Sequence, residues 1–299
     1  MSEKLVWYTA AFAGTSLMAT LGAFVRQISP GNELAIALGR FGFGLLCLAG
    51  FLALRSGPRR PRAWRLSWPL VGAGVFMPLF VVSYFKAVNT GTIANAAFLL
   101  YLGPLIASSL AALWLREGFS RLSGALLGLA LLGTLLITET ELPPRIDQAE
   151  SLVFGLLSGL FYGLFLVVNN RKVQDDLTGL PAVAAQFLVA TLVTAPLAAL
   201  SAPSLTGADL AWIAAIGVIH GFVALTLVIT ALAHLRTVEY STIAYGEPVI
   251  AALIGGLAYG ESLSALQILG CALVISAGVA RAFVSEQPGN AAALQSDTL

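Results

Sequence analysis

Ten separate runs of about 20 mainly apolar residues take up most of this sequence. A helix needs about 20 such residues to cross the hydrocarbon core of a bilayer, so each run has the length of a membrane span. Charged residues make up only 10% of the 299 residues and hydrophobic residues 58%, whereas soluble domains carry about 25% charged residues. We therefore predict an all-α integral membrane protein with ten transmembrane helices, at 5–25, 34–54, 68–88, 92–115, 122–138, 151–169, 181–200, 209–232, 240–259 and 265–284.

The connections between the runs are short and leave no room for a soluble catalytic domain. The first run is too long for the core of a signal peptide, so we expect it to be retained as a helix. The last run follows Ser264-Ala-Leu-Gln267, a spacing typical of a capping box. Cys47 and Cys271 lie inside apolar runs, without the paired spacing of disulfide or metal sites. The net charge of +1 offers no basic surplus, which excludes nucleic acid as a partner.

Positive charges are distributed unevenly between these connections. If the N-terminus is cytoplasmic, the outer connections hold only Arg26, Lys86 and Arg145. Because positively charged loops remain in the cytoplasm, we predict that the N- and C-termini are both cytoplasmic. The basic cluster at 55–65 is interpreted as a topology determinant in preference to a site for lipid headgroups. The inner segments then hold Lys4, Arg55, Arg59, Arg60, Arg62, Arg65, Arg116, Arg121, Arg171, Lys172, Arg236 and Arg281.

The sequence contains an internal repeat. A shift of 144 residues places Tyr101-Leu-Gly-Pro104 on Tyr245-Gly-Glu-Pro248, and in the same register Glu117 falls on Glu261. Matches of Tyr, Pro and Glu in one register are not expected from apolar composition alone, so we interpret them as a duplication.

The duplication predicts one five-helix repeat at 1–142, a second at 143–285 and a disordered cytoplasmic tail at 286–299. Five is an odd number, so the second repeat must enter the membrane inverted relative to the first. Inverted repeats place the substrate site near the midplane between the halves and serve alternating access. We therefore expect transport through a central cavity.

Small residues surround a Tyr and a Pro on one stripe of the fourth and the ninth helix. Proline frees a backbone carbonyl that lipid cannot solvate, so each stripe should face protein or a cavity. Pro104 and Pro248 are predicted to act structurally, while the tyrosines either line the cavity or pack closely. Polar aromatic side chains suit an amphipathic ligand. The candidate substrate contacts within the spans are Phe80, Ser83, Tyr84, Asn95, Tyr101, Tyr162, His220 and Tyr245.

Three ionisable residues lie deep inside predicted spans. His220 is either a hydrogen-bonded packing residue or a ligand or proton-relay residue. The only other histidine is His234, so we expect no metal site and no cofactor. Arg40 is assigned a structural role in topology or helix packing. Glu247 is a candidate coupling group for protons, although pairing or capping beside the following proline is the favoured alternative.

The residues at 84–117 and 231–261, together with Arg40, resemble the EamA-type transporters of the drug/metabolite transporter superfamily. The resemblance covers nearly the whole chain, and within the superfamily the chain is similar to the bacterial aromatic amino-acid exporters. It departs at Arg116-Glu117, where the family has Gly-Glu, as in Gly260-Glu261. The resemblance implies a carrier in the bacterial cell inner membrane that exports by alternating access.

The resulting hypothesis is a secondary transporter that exports amino acids, aromatic or otherwise amphipathic, or their analogues. The alternative is an exporter of another small metabolite or drug. An intramembrane enzyme is disfavoured because no H-E-x-x-H or other catalytic arrangement is visible, and a channel because charged rings and filter repeats are missing. The expected partners are a small-molecule substrate and membrane lipids. Glycine stripes such as Gly155, Gly159 and Gly163 predict close helix packing and permit a monomer or a weak homodimer.

Overall fold

The computed structural model describes residues 3–55, 67–91, 93–139, 149–170, 173, 179–260 and 262–285. All regular structure in these ranges is helical. The predicted tail, most of the basic cluster, the boundary between the repeats and Glu261 lie outside the described residues. The helices are α1 (Glu3–Ala19), α2 (Leu21–Val25), α3 (Glu33–Arg55), α4 (Trp68–Thr90), α5 (Ile93–Leu100), α6 (Leu102–Trp114), α7 (Arg121–Thr138), α8 (Ala149–Val168), α9 (Leu180–Leu200), α10 (Gly207–Ile216), a π-helix (Gly217–Leu225), α11 (Thr226–Leu232), α12 (Thr237–Ala244), α13 (Gly246–Tyr259) and α14 (Ala265–Ser285).

These helices form a multi-pass membrane protein. Nine segments of the described chain are long and apolar enough to span a bilayer, and Ala265–Ala280 adds a shorter apolar helix. Leu54, Leu200 and Leu257 are 91%, 83% and 89% exposed, so the outer surface is apolar, as a protein dissolved in lipid requires. The interior packs around large buried side chains such as Phe41 and Phe187.

The runs expected to form single fourth and ninth helices are each divided into two. Tyr101 separates α5 from α6, and Tyr245 separates α12 from α13. Each break lies three residues before a proline, Pro104 or Pro248. Proline supplies no N–H and its ring collides with the carbonyl of residue i−4, which is the last residue of α5 and of α12. The same physical cause therefore interrupts both helices at corresponding positions.

The eighth predicted span changes hydrogen-bonding pattern along its length. Its central nine residues form a π-helix between α10 and α11. This segment packs on α3 at glycines: a Cβ on Gly221 would collide with the carbonyl oxygen of Arg40, and one on Gly217 with the Phe43 side chain. Only glycine lets the two backbones approach this closely.

Most helix contacts join the first half of the chain (α1–α7) to the second half (α8–α14). In the first half, α4 and α6 pack on α8, α3 packs on α9 and the π-helix, and α1 packs on α11, α12 and α13. Helix α7 packs on α14, where a Cβ on Gly133 would lie 2.7 Å from the carbonyl oxygen of Gly270, and one on Gly270 would lie 2.5 Å from that of Gly133. The two halves thus share one core.

Two local predictions from the sequence are confirmed, and one is not. The amide of Gln267 donates to Ser264 Oγ at 3.1 Å and the amide of Ser264 donates to Gln267 Oε1 at 3.0 Å, which completes the capping box before α14. The glycine stripe of α8 packs closely, because a Cβ on Gly159 would collide with the carbonyl oxygen of Leu99. The spacing of Gly124 and Gly128 in α7 predicts the same close packing, but Gly128 faces open space.

Candidate functional site

A carboxylate and a guanidinium approach each other between the two halves. Glu247 lies in the first turn of α13, directly after the helix break, and its side chain is partly exposed. Arg40 lies in α3 and is 7% exposed. The two opposite charges are close enough to attract each other electrostatically. Charged groups at this depth are costly and usually functional in membrane proteins.

Four tyrosines surround this pair of charges. The hydroxyl of Tyr101 lies close to the Glu247 carboxylate. Tyr84, Tyr162 and Tyr240 also lie within electrostatic reach of that carboxylate, and Tyr162 lies close to Tyr240. We call Arg40, Glu247 and these four tyrosines the central cluster. Arg40, Tyr84 and Tyr101 come from the first half, and the other three come from the second.

The central cluster brings together Arg40 and four of the predicted site residues, Tyr84, Tyr101, Tyr162 and Glu247. Tyr240 is the member that sequence reasoning missed, because it lay at the boundary of a predicted run. Tyr240 precedes Glu247 by seven residues, a helical spacing that places two side chains on one face. That spacing was the available signal. The partly exposed side chains of Tyr84, Tyr162 and Glu247 leave accessible surface for a ligand.

The remaining aromatic and polar candidates lie around the central cluster. The Phe80 ring contacts the Tyr162 ring, with 5.2 Å between centroids. Ser83 and Asn95 are buried on α4 and α5. Tyr245 is fully buried and packs in the same apolar group of side chains as Tyr101. The two tyrosines of the repeat are therefore near one another, although only Tyr101 reaches the charged pair.

His220 lies in the π-helix and is fully buried. Its Nε2 is hydrogen-bonded to Thr20 Oγ1 at 2.9 Å, and the Phe24 ring meets its ring edge-on at 5.0 Å. Thr20 separates α1 from α2, and its hydroxyl donates to the carbonyl of Leu17 at 2.7 Å. The histidine thus has the interhelical partner that a packing role requires. Among the described residues, Nδ1 has no hydrogen-bond partner.

A second polar group, which we call the end network, joins the two halves at one end of the bundle. Glu117 follows α6, and its Oε1 accepts a hydrogen bond from Asn170 Nδ2 at 2.9 Å. Its Oε2 accepts from the amide of Thr237 at 3.1 Å. Asn170 Nδ2 also donates to Thr237 Oγ1 at 2.9 Å. One carboxylate therefore connects the end of α6 to the end of α8 and the start of α12.

The end network continues to the N-terminus. The Arg236 guanidinium donates to the carbonyl of Gly118, and the Arg236 amide donates to Glu239 Oε2 at 3.0 Å. Lys4 Nζ lies 3.5 Å from Glu239 Oε1. In the predicted orientation all these residues are at the cytoplasmic end. Sequence reasoning did not find this network.

A small, partly open pocket lies apart from the central cluster, between α8, α9 and α11. Gln186 and Asn169 line it, and Gln186 Nε2 donates to Asn169 Oδ1 at 2.7 Å. Across the residues that the structure describes, no group of three or more His, Cys, Asp or Glu side chains is arranged to hold a metal ion.

Comparisons with known proteins agree on the kind of molecule. The EamA-like transporter family matches the chain twice, at residues 5–139 and 150–280. An uncharacterized transporter of Archaeoglobus fulgidus is 28% identical over 289 residues, which is 91% of this chain and 97% of that protein. A solved crystal structure superposes with a TM-score of 0.78 over 93% of this chain and 96% of the other, at 17% identity. Identity this low shows a shared fold alone.

Proposed function

Because the chain belongs to the EamA-like transporter family and contains two copies of the family's domain, we propose that this membrane transporter exports amino acids across the bacterial inner membrane. The proposed substrates are aromatic or otherwise amphipathic amino acids and their analogues. The observation that carries the proposal is the central cluster, which combines two opposite charges with four phenol side chains contributed by both halves.

The chemistry of the central cluster suits such substrates. Tyrosine rings offer apolar faces to an aromatic or aliphatic side chain, and their hydroxyls both donate and accept hydrogen bonds. Phe80 extends this aromatic surface through its contact with Tyr162. Tyr240 is added to the substrate contacts proposed from the sequence. Those contacts are retained and are Phe80, Ser83, Tyr84, Asn95, Tyr101, Tyr162, His220 and Tyr245.

The ten spans form two inverted five-helix repeats, 1–142 and 143–285, in this proposal. Helix breaks at corresponding tyrosines support it. Helix pairing supports it as well. If each span is exchanged for its counterpart in the other half, the α4–α8 contact becomes the α1–α11 contact, and the contact of α3 with the π-helix becomes the α4–α9 contact; all four are present. The pairs α3–α9 and α7–α14 each join corresponding spans, as they would around a two-fold axis.

Alternating access then exposes the central cluster to one side of the membrane at a time. With both termini cytoplasmic, the end network closes the cytoplasmic side in the conformation described here. Its release, with closure at the other end, opens the cluster to the cytoplasm, from which an exporter must load. The carrier operates as a monomer or a weak homodimer.

Transport by reconstituted protein tests the proposal. Liposomes with the purified protein are loaded with radiolabelled phenylalanine, tyrosine, tryptophan, leucine or glutamate, and efflux is compared with protein-free liposomes. We expect efflux of the aromatic amino acids and slower efflux of glutamate, which carries an extra charge. Equal efflux of all five amino acids from both kinds of liposome would overturn the assignment of amino acids as substrates.

A further inference from the structure

Arg40 is a buried cation whose hydrogen bonding is incomplete. Its Nη2 lies 2.9 Å from Met18 Sδ, and a thioether sulfur is a weak acceptor. Its Nε is buried and has no partner among the described residues. A guanidinium has five N–H donors, and leaving them without strong acceptors in a buried site is unfavourable. The site is therefore short of one strong acceptor, such as a carboxylate.

Glu247 does not supply this acceptor, although its charge is opposite. Its carboxylate lies beside the hydroxyl of Tyr101. In the described ranges, the ion pairs of 4 Å or less are Lys4–Glu239 and Lys86–Glu150, and the attraction between Arg40 and Glu247 acts over a longer distance. Two complementary charges are thus held near each other without direct contact, each with the capacity to bind a further charged group.

We propose that Arg40 and Glu247 bind the two charged ends of one zwitterionic substrate. The guanidinium receives the substrate carboxylate in place of the Met18 sulfur, because its planar fork matches a carboxylate with two parallel hydrogen bonds. Glu247 receives the substrate ammonium group, and the rings of Tyr84 and Tyr162 contact the side chain. This inference rests on the proposed export of amino acids and adds a charge requirement: one carboxylate and one amine on the same carbon.

The charge requirement has a direct consequence for ligands that lack one of the two groups. Such a ligand leaves either the buried Arg40 or the partly exposed Glu247 without its partner. Sites that hydrogen-bond a polar group reject analogues without it far more strongly than apolar pockets reject a missing methylene. We expect phenethylamine and 3-phenylpropionate to bind at least about 100-fold more weakly than phenylalanine.

Binding of these three compounds to the purified full-length protein tests the inference. Affinities are measured by calorimetry for the wild type, Arg40→Gln, Arg40→Lys and Glu247→Gln. Arg40→Gln should lower the affinity for phenylalanine about 30-fold or more and change the affinity for phenethylamine little. The preference for phenylalanine over phenethylamine should therefore be lost. Glu247→Gln should lower the affinity for phenylalanine but not that for 3-phenylpropionate. The preference for phenylalanine over 3-phenylpropionate should therefore be lost. Arg40→Lys keeps the charge but loses the planar fork, and we expect an intermediate affinity.

Lys86→Gln is the matched control. It also removes a cation from a span, but Lys86 is 48% exposed and pairs with Glu150 at 3.0 Å, so all three affinities should be unchanged. If the wild type binds the three compounds with equal affinity, that measurement alone overturns the charge requirement. If Arg40→Gln binds phenylalanine and still prefers it to phenethylamine as strongly as the wild type does, the role of Arg40 is overturned, but not that of Glu247. Failure of the folded wild type to bind phenylalanine would overturn the proposed export of aromatic amino acids as well.

Discussion

Removal of the Glu117 side chain should open the cytoplasmic end of the protein. Glu117→Ala eliminates both acceptors in the end network, those for Asn170 Nδ2 and for the Thr237 amide. A hydrogen bond to a charged group contributes about 1.5 to 3 kcal/mol. Glu117 is half-buried, so we take the lower value for each bond and expect a loss of about 3 kcal/mol from the closed state.

A loss of about 3 kcal/mol changes a conformational equilibrium by a factor of about 150. If the wild type is closed about 99% of the time, the open fraction rises from about 1% to roughly 60%. Glu117→Gln keeps one oxygen acceptor but lacks the charge. We therefore expect it to fall between the wild type and Glu117→Ala.

The open fraction can be read from cysteine modification. Cys47 and Cys271 are replaced, and Ser241→Cys serves as the reporter because Ser241 is fully buried one turn from Thr237 and its hydroxyl has no partner among the described residues. In inside-out vesicles, a membrane-impermeant maleimide should modify this cysteine about 50-fold faster in Glu117→Ala.

Glu150→Gln is the control for Glu117→Ala, since it removes a carboxylate that is 56% exposed and pairs with Lys86 at the opposite end. Modification of the reporter should keep its wild-type rate in this variant. An unchanged rate in folded Glu117→Ala would refute the argument that the end network holds the cytoplasmic side closed.

Four further predictions concern the topology, the site and the packing. A cysteine in place of Arg145 should react with an impermeant maleimide on intact cells. A cysteine that does not react there would show that the protein has the opposite orientation in the membrane. Tyr101→Ala should slow phenylalanine efflux about tenfold or more at normal folded yield, whereas unchanged efflux would assign Tyr101 to packing. Glu247→Gln should abolish the response of export to an imposed pH gradient, while substrate exchange continues once the substrate concentration is raised to offset weaker binding; a wild type that ignores the gradient would exclude proton coupling. Gly270→Ala should lower stability by about 1 to 3 kcal/mol through overpacking against α7, measured as a lower Tm, while Gly128→Ala, which faces open space, should not.

Features that depend on neighbouring residues in the chain could be predicted from the sequence. The membrane spans followed from local runs of apolar residues, because burial in lipid is required of each span separately. The capping box at Ser264 was predictable for the same reason. The helix breaks were within reach, since Pro104 and Pro248 were recognised, yet the runs were drawn as continuous helices.

Features that depend on distant residues could not be predicted in this way. Glu117 meets Asn170 and Thr237, which are 53 and 120 residues away, and no local pattern announces such a contact. Tyr240 was missed because the ninth span begins at Thr237, three residues earlier than predicted. The π-helix was missed because its cause is the close approach of α3, a tertiary contact that apolar periodicity does not reveal.

The packing of the first half against the second has a consequence for how the protein is made. Ribosomes add about 5 to 20 residues per second, so the 143 residues from 143 to 285 need about 7 to 29 s. Throughout this interval α1, α3 and α4 lie in the membrane without the helices that cover them, and lipid does not solvate the polar atoms of Arg40 and Ser83. The insertion machinery must therefore shelter the early helices until α8 and the π-helix arrive. A first half synthesised alone never receives that cover, whereas two halves expressed as separate chains in one membrane can complete each other.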